Sequence, residues 1–409
     1  MNINVIVFNS CSFTVKVQLA GGASVEVPAH SNSRAGQVAA ATKDMSVKLT
    51  TTGWDLAFDV ATGSEYYPRN QYNHYTPGKD GHSANVFQSM WRTNEESWWM
   101  YLNIGPGFSS KTWMSLLDID EETTLADITI PGAHDAITWN ATSNSKCQNT
   151  DIEMQLLQGI RWFDLRLAIT GNDMQLFHAG EAQGLFLSTD VLPKVKSFLD
   201  TYPSETVVLC VNHETGIFAS NDTNVPPGKT FDSLLHEIFM AGVTPNKLYD
   251  QRAIPKLQGL NSCVVLMRLD AGASFGIMAQ GIADDATKKT PAPEGNFFYS
   301  VQNCYKFDTD YLAAKTRLVK AQLEAAANKS DGAAWYINFT SASRAPLTTP
   351  EEIAIASDQQ GVNYQVYGYL CANQAPRHYG TIPMDFPETP SGLIKLLILQ
   401  NKLKPFGSG

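Results

Sequence analysis

The sequence predicts two domains of different fold class: an N-terminal all-β sandwich in residues 1–110 and a C-terminal α/β domain, a distorted TIM (β/α) barrel, in residues 111–409. Three observations support this prediction. Apolar and polar residues alternate in short runs before about residue 88, strand-like runs alternate with helical patterns after about residue 118, and Gly105, Pro106 and Gly107 separate the two patterns. We therefore expect the domain boundary between residues 105 and 118.

The N-terminal pattern has the period of two residues that is typical of antiparallel strands. It is clearest at residues 4–8, 14–19 and 46–49. The loop at residues 66–83 is rich in aromatic and polar side chains. Two alternatives remain open for it, a binding surface for sugars or lipid headgroups and an ordinary surface loop.

The C-terminal pattern alternates strands with helices. Strand-like apolar runs occupy residues 160–167, 206–211, 263–269 and 335–340, and helical patterns occupy residues 191–200, 231–240, 309–327 and 393–402. This alternation implies a parallel sheet, and the number of repeats favours a closed β/α barrel. The chemistry of such a barrel lies at the C-terminal ends of its strands.

Composition limits the possible partners and cofactors. The net charge of −10 argues against a nucleic-acid partner and against electrostatic adhesion to an anionic membrane, so membrane contact would depend on apolar loops. The six cysteines are scattered and form no CxxC pair, which disfavours a zinc site and predicts buried free thiols.

Features of the N-terminus and of the apolar runs predict where the protein acts. The first 13 residues read as a strand without the basic and apolar segments of a signal peptide, and no run approaches the length of a membrane span. We expect a soluble, cytoplasmic protein with no transmembrane segment and at most peripheral membrane contact. The sequence predicts no oligomeric state.

The stretch from residue 125 to residue 167 holds the first candidate site residues. An apolar run at residues 128–130 stops before a proline and a glycine, so His134 and Asp135 should lie where a strand gives way to a loop. Asp164 and Arg166 are two apart in the next run and therefore share one face of a strand.

Polar side chains recur at or just after the predicted strands: His134, Arg166, His178, Asn212, Arg268, Asn303 and Asp385. Taken singly, each is more often a satisfied structural residue than a functional one. Together they predict one pocket. Imidazole titrates near neutrality and a guanidinium is a fixed bidentate donor, so the set suits acid/base chemistry on an anionic group.

Five segments occur in the order seen in phosphatidylinositol-specific phospholipase C: IPGAHD, GIRWFDLRL, a short strand ending in His178, YPSETVVL and WYINFTS. From about residue 125 onward the chain resembles the compact, bacterial-type enzymes of this family. The resemblance implies a distorted barrel without a cofactor. It also implies cleavage of phosphatidylinositol-type lipids at a membrane surface, to diacylglycerol and an inositol cyclic phosphate.

The resemblance implies individual roles as well. His134 matches the general base that takes the proton of the inositol 2-hydroxyl, and Asp385, in GTIPMDFPE, matches the carboxylate that orients this base. His178 matches the acid that protonates the departing glycerol oxygen. Asp135 matches the carboxylate that works with this acid.

Arg166, positioned by Asp164, matches the group that supplies positive charge to the non-bridging phosphate oxygens. In the calcium-dependent relatives a metal held by carboxylates has this role. An arginine in its place predicts activity without calcium and no metal site.

Four further positions match residues that hold the headgroup: Asn212, Arg268, Asn303 and Tyr305. Asn212 stands where the bacterial-type enzymes have a lysine, and Asn303 stands where they have an aspartate. Tyr305 keeps the stacking tyrosine, and Arg268 would replace a further arginine. These changes affect headgroup recognition more than the reaction.

Three hypotheses remain open. The first is cleavage of phosphatidylinositol itself. The second is the same chemistry on another headgroup, such as a glycosylated inositol lipid, glycerophosphoinositol or a lysolipid. The third is a catalytically idle protein that binds lipid or sugar. A metal-dependent lipase is disfavoured, since the guanidinium of Arg166 would repel the metal. Trp139, in the loop after His134, is a candidate for membrane contact.

Overall fold

The structure is a computed structural model. It describes residues 2–9, 14–19, 22–28, 31–39, 45–51, 54–60, 73–77, 83–92, 98–106, 109–215, 221–270, 273–280, 282, 284–293, 297–307, 310–331, 334–344, 347–356, 360–373, 376–390 and 392–404. The chain divides into two compact units. The first comprises residues 1–109, 367–376 and 402–409, and the second comprises residues 110–366 and 377–401.

The first unit contains β-strands: β1 (Asn2–Asn9), β2 (Val15–Leu19), β3 (Ser24–Val27), β4 (Ser31–Ala39), β5 (Met45–Thr51), β6 (Trp54–Val60), β7 (Asn73–Pro77), β8 (Ser83–Arg92) and β9 (Trp98–Pro106). They form two sheets, with strand orders β4-β1-β9-β8-β7 and β3-β2-β5-β6. In β2, Val15, Val17 and Leu19 are buried and Lys16 is exposed, as the alternation predicts. Unlike the predicted all-antiparallel arrangement, β1 and β9 run parallel.

Two predictions for this part of the chain stay predictions. The face-to-face packing of the two sheets as a sandwich is one, and the division at residue 110 is the other. Most of the loop at residues 66–83 lies outside the described residues.

The second unit is built on one large sheet of β10 (Ile130–Ala133), β11 (Trp162–Thr170), β12 (Asp173–His178), β13 (Glu181–Phe186), β14 (Thr206–His213), β15 (Leu248–Tyr249), β16 (Cys263–Arg268), β17 (Ile277–Met278), β18 (Thr287–Pro291), β19 (Phe298–Gln302), β20 (Ala334–Asn338) and β21 (Thr381–Met384). Its main strand order is β15-β16-β14-β11-β10-β21-β20-β19-β18, and β12, β13 and β17 extend it.

The helices that alternate with these strands are α1 (Ile152–Gln158), α2 (Leu192–Thr201), α3 (Phe231–Gly242), α4 (Tyr311–Ala327), α5 (Pro350–Ala354) and α6 (Val362–Ala372), and α7 (Leu393–Ile398) follows β21. Short 3-10 helices span Trp113–Leu116, Leu125–Asp127, Thr138–Asn140 and Pro245–Lys247, and a π-helix spans Leu187–Val191. Among the described residues, no helix is both long enough and apolar enough to span a bilayer.

The neighbouring strands of the central sheet run parallel from β16 through β14, β11, β10, β21 and β20 to β19. This confirms the predicted β/α class. The predicted closure is not found, because no ladder joins β16 and β17 to β18 and β19 in the described part of the chain. The sheet is therefore a curled, incomplete barrel.

The strand that carries His134 is displaced from its predicted position. Residues 125–127 form a 3-10 helix, and β10 begins at Ile130 and includes the proline and glycine expected to end it. Pro131 still accepts the backbone N–H of Arg161 at 3.0 Å. A Cβ at Gly132 would come within 3.2 Å of the Pro383 backbone, so glycine lets β10 and β21 approach closely.

Candidate active site

A cavity of about 530 Å³ lies at the C-terminal ends of the parallel strands. Nine of the ten predicted site residues line it: His134, Asp135, Asp164, Arg166, His178, Asn212, Asn303, Tyr305 and Asp385. They come from β10, β11, β12, β14, β19 and β21 or from the residues directly after these strands. The curled parallel sheet brings them together although they are spread over about 250 residues of sequence.

A short contact in the cavity joins the ends of neighbouring strands. His134 follows β10 and Asp385 follows β21, and His134 Nδ1 lies 2.7 Å from Asp385 Oδ1. Because an ionised carboxylate only accepts hydrogen bonds, Nδ1 carries the proton and donates it. The other ring nitrogen, Nε2, is therefore the one available for proton transfer. Asn363 holds this turn by donating to the backbone oxygens of Asp385 and Phe386, at 2.8 and 3.1 Å.

Asp135 contacts both histidines and the arginine. Its Oδ2 lies 3.2 Å from His134 Nε2 and 3.1 Å from His178 Nε2, and its Oδ1 forms an ion pair with Arg166, at 2.7 Å from Nε. Asp135 has a φ of 39°, a left-handed conformation that aspartate tolerates better than most residues. This turn lets the adjacent side chains of His134 and Asp135 both face the cavity.

Charge and burial compete in setting the protonation of these groups. Burial lowers the pKa of His134, but the carboxylates of Asp135 and Asp385 outweigh it and raise the pKa to about 9. Burial would raise the pKa of Asp135, yet Arg166, His134 and His178 hold that pKa well below its usual range. The charge of Asp135 raises the pKa of His178 in turn. Both histidines therefore hold a proton more firmly than free imidazole does.

Arg166 reaches the cavity with part of its side chain exposed. Beyond its pair with Asp135, its Nη2 lies 3.6 Å from Asp164 Oδ2 and 3.3 Å from His134 Nε2. Since the contact with Asp135 is the shorter, Asp135 positions the guanidinium more than Asp164 does. Burial raises the pKa of the Asp164 carboxyl, and so does the nearby charge of Asp135.

A second wall of the cavity carries polar and aromatic groups. Asn212 lies opposite Arg166 in the pairing of β11 with β14, and Asn303 and Tyr305 follow β19. The Tyr305 hydroxyl donates to Asp284 Oδ1 at 3.0 Å, and Asp284 also lines the cavity. Sequence reasoning missed Asp284. Its segment has neither strand nor helix periodicity, and the signal available was an acidic residue in the loop before β18, the strand that pairs with the site strand β19.

Arg268 requires a correction. Its side chain is 0% exposed and does not line the cavity. Its Nε and Nη2 donate to Asp270 at 2.8 and 2.6 Å, and its Nη1 donates to Asp232 at 2.8 Å. With its donors directed to carboxylates from α3 and from the loop after β16, Arg268 holds these elements together, and we remove it from the substrate-binding set.

Cys147 is a further cavity residue that the sequence did not single out. Burial and the nearby carboxylates of Asp385 and Asp135 raise the pKa of its thiol well above the usual value, so the thiol stays protonated. Cys210 and Cys263 are also buried and free, as predicted, while Cys304 is free and partly exposed.

Metal-binding side-chain types do meet in the described part of the cavity. Three groups have ligand atoms within 4.8 Å of one another: His134, Cys147 and Asp385; Asp135, Cys147 and His178; and His134, Asp135 and Asp164. The guanidinium of Arg166 lies 2.7 Å from Asp135 and opposes a cation there. Calcium independence stays a prediction.

Trp139, the predicted membrane-contact residue, is partly buried. The ammonium of Lys194 lies 5.7 Å from the centroid of its indole ring, within the range of a cation–π contact. The indole is therefore already engaged on one face.

Comparisons with known proteins place the chain beside one group of enzymes. The 1-phosphatidylinositol phosphodiesterase of Staphylococcus aureus (strain Newman) is 28% identical over 246 residues, which cover 57% of this chain and 75% of the relative. The enzyme of the same name from Listeria monocytogenes is 26% identical over 315 residues, or 72% of this chain and 86% of the relative. No family model matches the chain.

Solved structures agree with these relatives. A structure of the Staphylococcus aureus phosphatidylinositol-specific phospholipase C, from work on modulating its membrane binding, has a TM-score of 0.61 and 26% identity. The alignment covers 72% of this chain and 98% of that one. The Listeria monocytogenes enzyme has a TM-score of 0.53 and 21% identity over 72% of this chain and 100% of that one, which shows a shared fold.

Proposed function

We propose that this chain, a relative of the bacterial phosphatidylinositol-specific phospholipases C, cleaves phosphatidylinositol-type lipids to diacylglycerol and an inositol cyclic phosphate. One observation carries the proposal. Two histidines lie 3.2 and 3.1 Å from the same oxygen of Asp135, and Arg166 binds the other oxygen of that carboxylate. A base, an acid and a fixed cation are thereby held around one point, as an internal phosphoryl transfer requires.

In the first half of the reaction His134 acts as the base in its neutral form. Its unprotonated Nε2 takes the proton of the inositol 2-hydroxyl as that oxygen attacks the phosphorus. Asp385 accepts from Nδ1 at 2.7 Å, which fixes the ring and stabilises the imidazolium that forms.

The second half is the departure of diacylglycerol. The bond between phosphorus and the glycerol oxygen breaks as the bond to the 2-oxygen forms, and His178 gives its proton to the leaving oxygen. The charge of Asp135 raises the pKa of His178, which favours the protonated form that this acid needs. Asp135, adjacent to both histidines, couples the two proton transfers.

Positive charge on the non-bridging oxygens comes from Arg166, positioned by Asp135 and Asp164. A guanidinium supplies two parallel donors and stays charged, so this step uses no metal ion. We assign headgroup binding to Asn212, Asn303 and Tyr305 and add Asp284, whose carboxylate faces the same cavity.

Several finer statements belong to this proposal. They are a β-sandwich in residues 1–110 beside a catalytic domain in residues 111–409, a cytoplasmic location, and transient contact with the membrane that holds the substrate. Sugar or lipid binding by the N-terminal domain would attach the protein to the surface that carries its substrate. The alternative substrates, glycosylated inositol lipids, glycerophosphoinositol and lysolipids, would use the same catalytic groups.

The proposal is tested by phosphorus NMR on phosphatidylinositol dispersions in excess chelator. We expect the signal of a cyclic inositol phosphate from the wild type and no such signal from His134→Ala. Loss of all wild-type activity in chelator would contradict the metal-free step. Absence of product from a folded wild type, with or without calcium, would contradict the substrate and direct the assay to the other headgroups.

A further inference from the structure

Lys315 is a buried amine that the proposed reaction does not use. It lies in the first half of α4 and its side chain is 0% exposed. Burial lowers the pKa of its amine to about 7, although the charges of Cys304, Asp385 and Asp285 oppose this shift. Lysine is almost never fully buried without a specific partner, because the ammonium loses its hydration.

The partners of Lys315 lie on one short turn. Its Nζ donates to the backbone oxygen of Cys304 at 2.7 Å and to Gln302 Oε1 at 3.1 Å. Gln302 Oε1 also accepts the backbone N–H of Cys304 at 2.9 Å. The amine therefore fixes both ends of the turn that contains Asn303.

That turn carries the headgroup side of the cavity. Asn303 and Tyr305 line the cavity, and Asp285 accepts the backbone N–H of Tyr305 at 3.0 Å. The backbone oxygen of Tyr305 accepts from Ser343 N at 2.8 Å. Lys315 therefore holds the turn at Gln302 and Cys304, while Asp285 and Ser343 hold it at Tyr305.

The same network reaches the neighbouring strand. Gln302 Nε2 donates to Asn338 Oδ1 at 2.9 Å and to the backbone oxygen of Phe339 at 2.7 Å. Asn338 Nδ2 donates back to Val319 O on α4 at 2.9 Å. Phe339 lines the cavity and packs edge-on against His134, with ring centroids 6.0 Å apart. One buried network thus ties α4 to the ends of both β19 and β20.

We propose that Lys315 is a positioning residue that fixes the Asn303–Tyr305 turn in the conformation that receives the polyol headgroup. This inference rests on the proposed function. A buried polar network whose members satisfy one another is rigid, and removing one member leaves the others without partners. Loss of Lys315 should therefore impair headgroup binding more than the chemical step.

The test compares Lys315→Met with Lys320→Met. Methionine keeps the length and volume of the lysine stem but donates no hydrogen bond. Lys320 is on the same helix and donates to Gln365 at 3.2 Å, so it controls for the loss of a partly buried lysine away from the turn. We expect KM for phosphatidylinositol in mixed micelles to rise about fivefold in Lys315→Met with kcat within about twofold of the wild type. Lys320→Met should change neither.

A second measurement separates positioning from general stability. The inhibition constant of free myo-inositol should rise with KM in Lys315→Met, since this ligand occupies the headgroup side without undergoing chemistry. An unchanged KM and inhibition constant in folded Lys315→Met would overturn the proposal, as would a fall in kcat alone. If Lys315→Met does not fold, Gln302→Leu, which removes the other contact to the turn, is measured in the same way and must show the same pattern. A wild type that is inactive on phosphatidylinositol contradicts the proposed function and is seen before any variant is compared.

Discussion

Two arginines on parallel strands of the central sheet have opposite surroundings. Arg166, on β11, makes one short contact to Asp135 and two longer ones to Asp164 and His134, and 28% of its side chain is exposed. Arg268, on β16, is 0% exposed and makes three contacts of 2.6 to 2.8 Å to Asp232 and Asp270. Its guanidinium is also stacked near Phe275, 4.8 Å from the ring centroid.

The difference lies in access, since each arginine makes three polar contacts. Arg166 lines the cavity with 28% of its side chain exposed, whereas Arg268 is fully buried outside the cavity, and a substrate can bind only a guanidinium that it can reach. Position at a strand end is therefore insufficient to identify a substrate-binding arginine. An arginine on one of these strands can bind substrate in the cavity or hold structural elements together, according to the carboxylates around it.

The largest expected effect separates the two arginines by activity. Arg166→Met should lower kcat on phosphatidylinositol by about 10³- to 10⁵-fold, because the charge that stabilises the transition state is lost. The measurement is initial rate under substrate saturation, with circular dichroism to show an intact fold. A variant that retains more than a tenth of wild-type kcat would show that Arg166 is not the group bound to the phosphate.

Arg268→Met should show the converse pattern. Removing one partner leaves the buried carboxylate of Asp270 without its cation, which should lower the free energy of unfolding by about 3 to 5 kcal/mol in urea titrations. The rate per folded molecule should stay close to that of the wild type. The double variant Arg268→Met/Asp270→Leu should recover part of the lost stability, and a large loss of kcat in well-folded Arg268→Met would return this arginine to the substrate-binding set.

A smaller effect is expected from removing one of the carboxylates beside His134. Asp385→Asn removes one of the three carboxylate charges that raise the pKa of His134, so that pKa should fall from about 9 towards 6.5. Labelled-histidine NMR titration measures this directly, with His134→Ala to assign the resonance. Because the base must be neutral, the limb of the kcat/KM profile controlled by His134 should also move to lower pH.

The raised pKa of His134 also determines how the stability of the folded protein changes with pH. The favourable charge contacts of His134 are fully present below pH 6.5 and are lost as pH rises through about 9. The stability of the wild type over that interval should therefore decrease more than that of Asp385→Asn. Equal pH dependence in the two proteins would indicate that Asp385 does not set the charge of His134.

The smallest expected effect concerns the carboxylate on the headgroup side. Asp284→Asn should raise KM for phosphatidylinositol about tenfold with little change in kcat, because an ionised acceptor is lost from the cavity. Asp285→Asn is the matched control, since Asp285 accepts the backbone N–H groups of Tyr305 and Lys306 at 3.0 Å. Equal effects of the two substitutions would mean that Asp284 acts through the loop and not on the headgroup.

The β/α class and the residues that line the cavity could be predicted from the sequence. The contacts between those residues could not be predicted as well. The strand-end positions and the order of the motifs predicted that His134, His178 and Asp385 lie in one pocket. In the structure all three line the same cavity. The central position of Asp135 was not predicted. It depends on a left-handed turn that directs two adjacent side chains into the cavity, and sequence periodicity assumes that neighbours on a strand diverge.

The failures have a common physical origin. Arg268 could be placed on a strand from sequence, but its partners come from α3 and from a loop, and which carboxylates face it depends on tertiary packing. Barrel closure was likewise inferred from the count of alternating elements. Pairing between β16 and β19 depends on the geometry of the connecting segments, which local patterns do not determine. The roles of the site residues stay predictions until the variants are measured.

The left-handed turn at Asp135 limits which sequences can occupy this site. Its neighbours at two other strand ends share the feature, since Ala179 and Phe386 have φ values of 49° and 47°. In a saturation library, β-branched residues at position 135 should be depleted for backbone reasons, whatever their charge. Apart from glycine, asparagine is the uncharged residue most tolerant of this conformation. Selection for folding alone should therefore retain Asp135→Asn, and selection for turnover should remove it. The two selections together separate the backbone requirement at position 135 from the requirement for a charge.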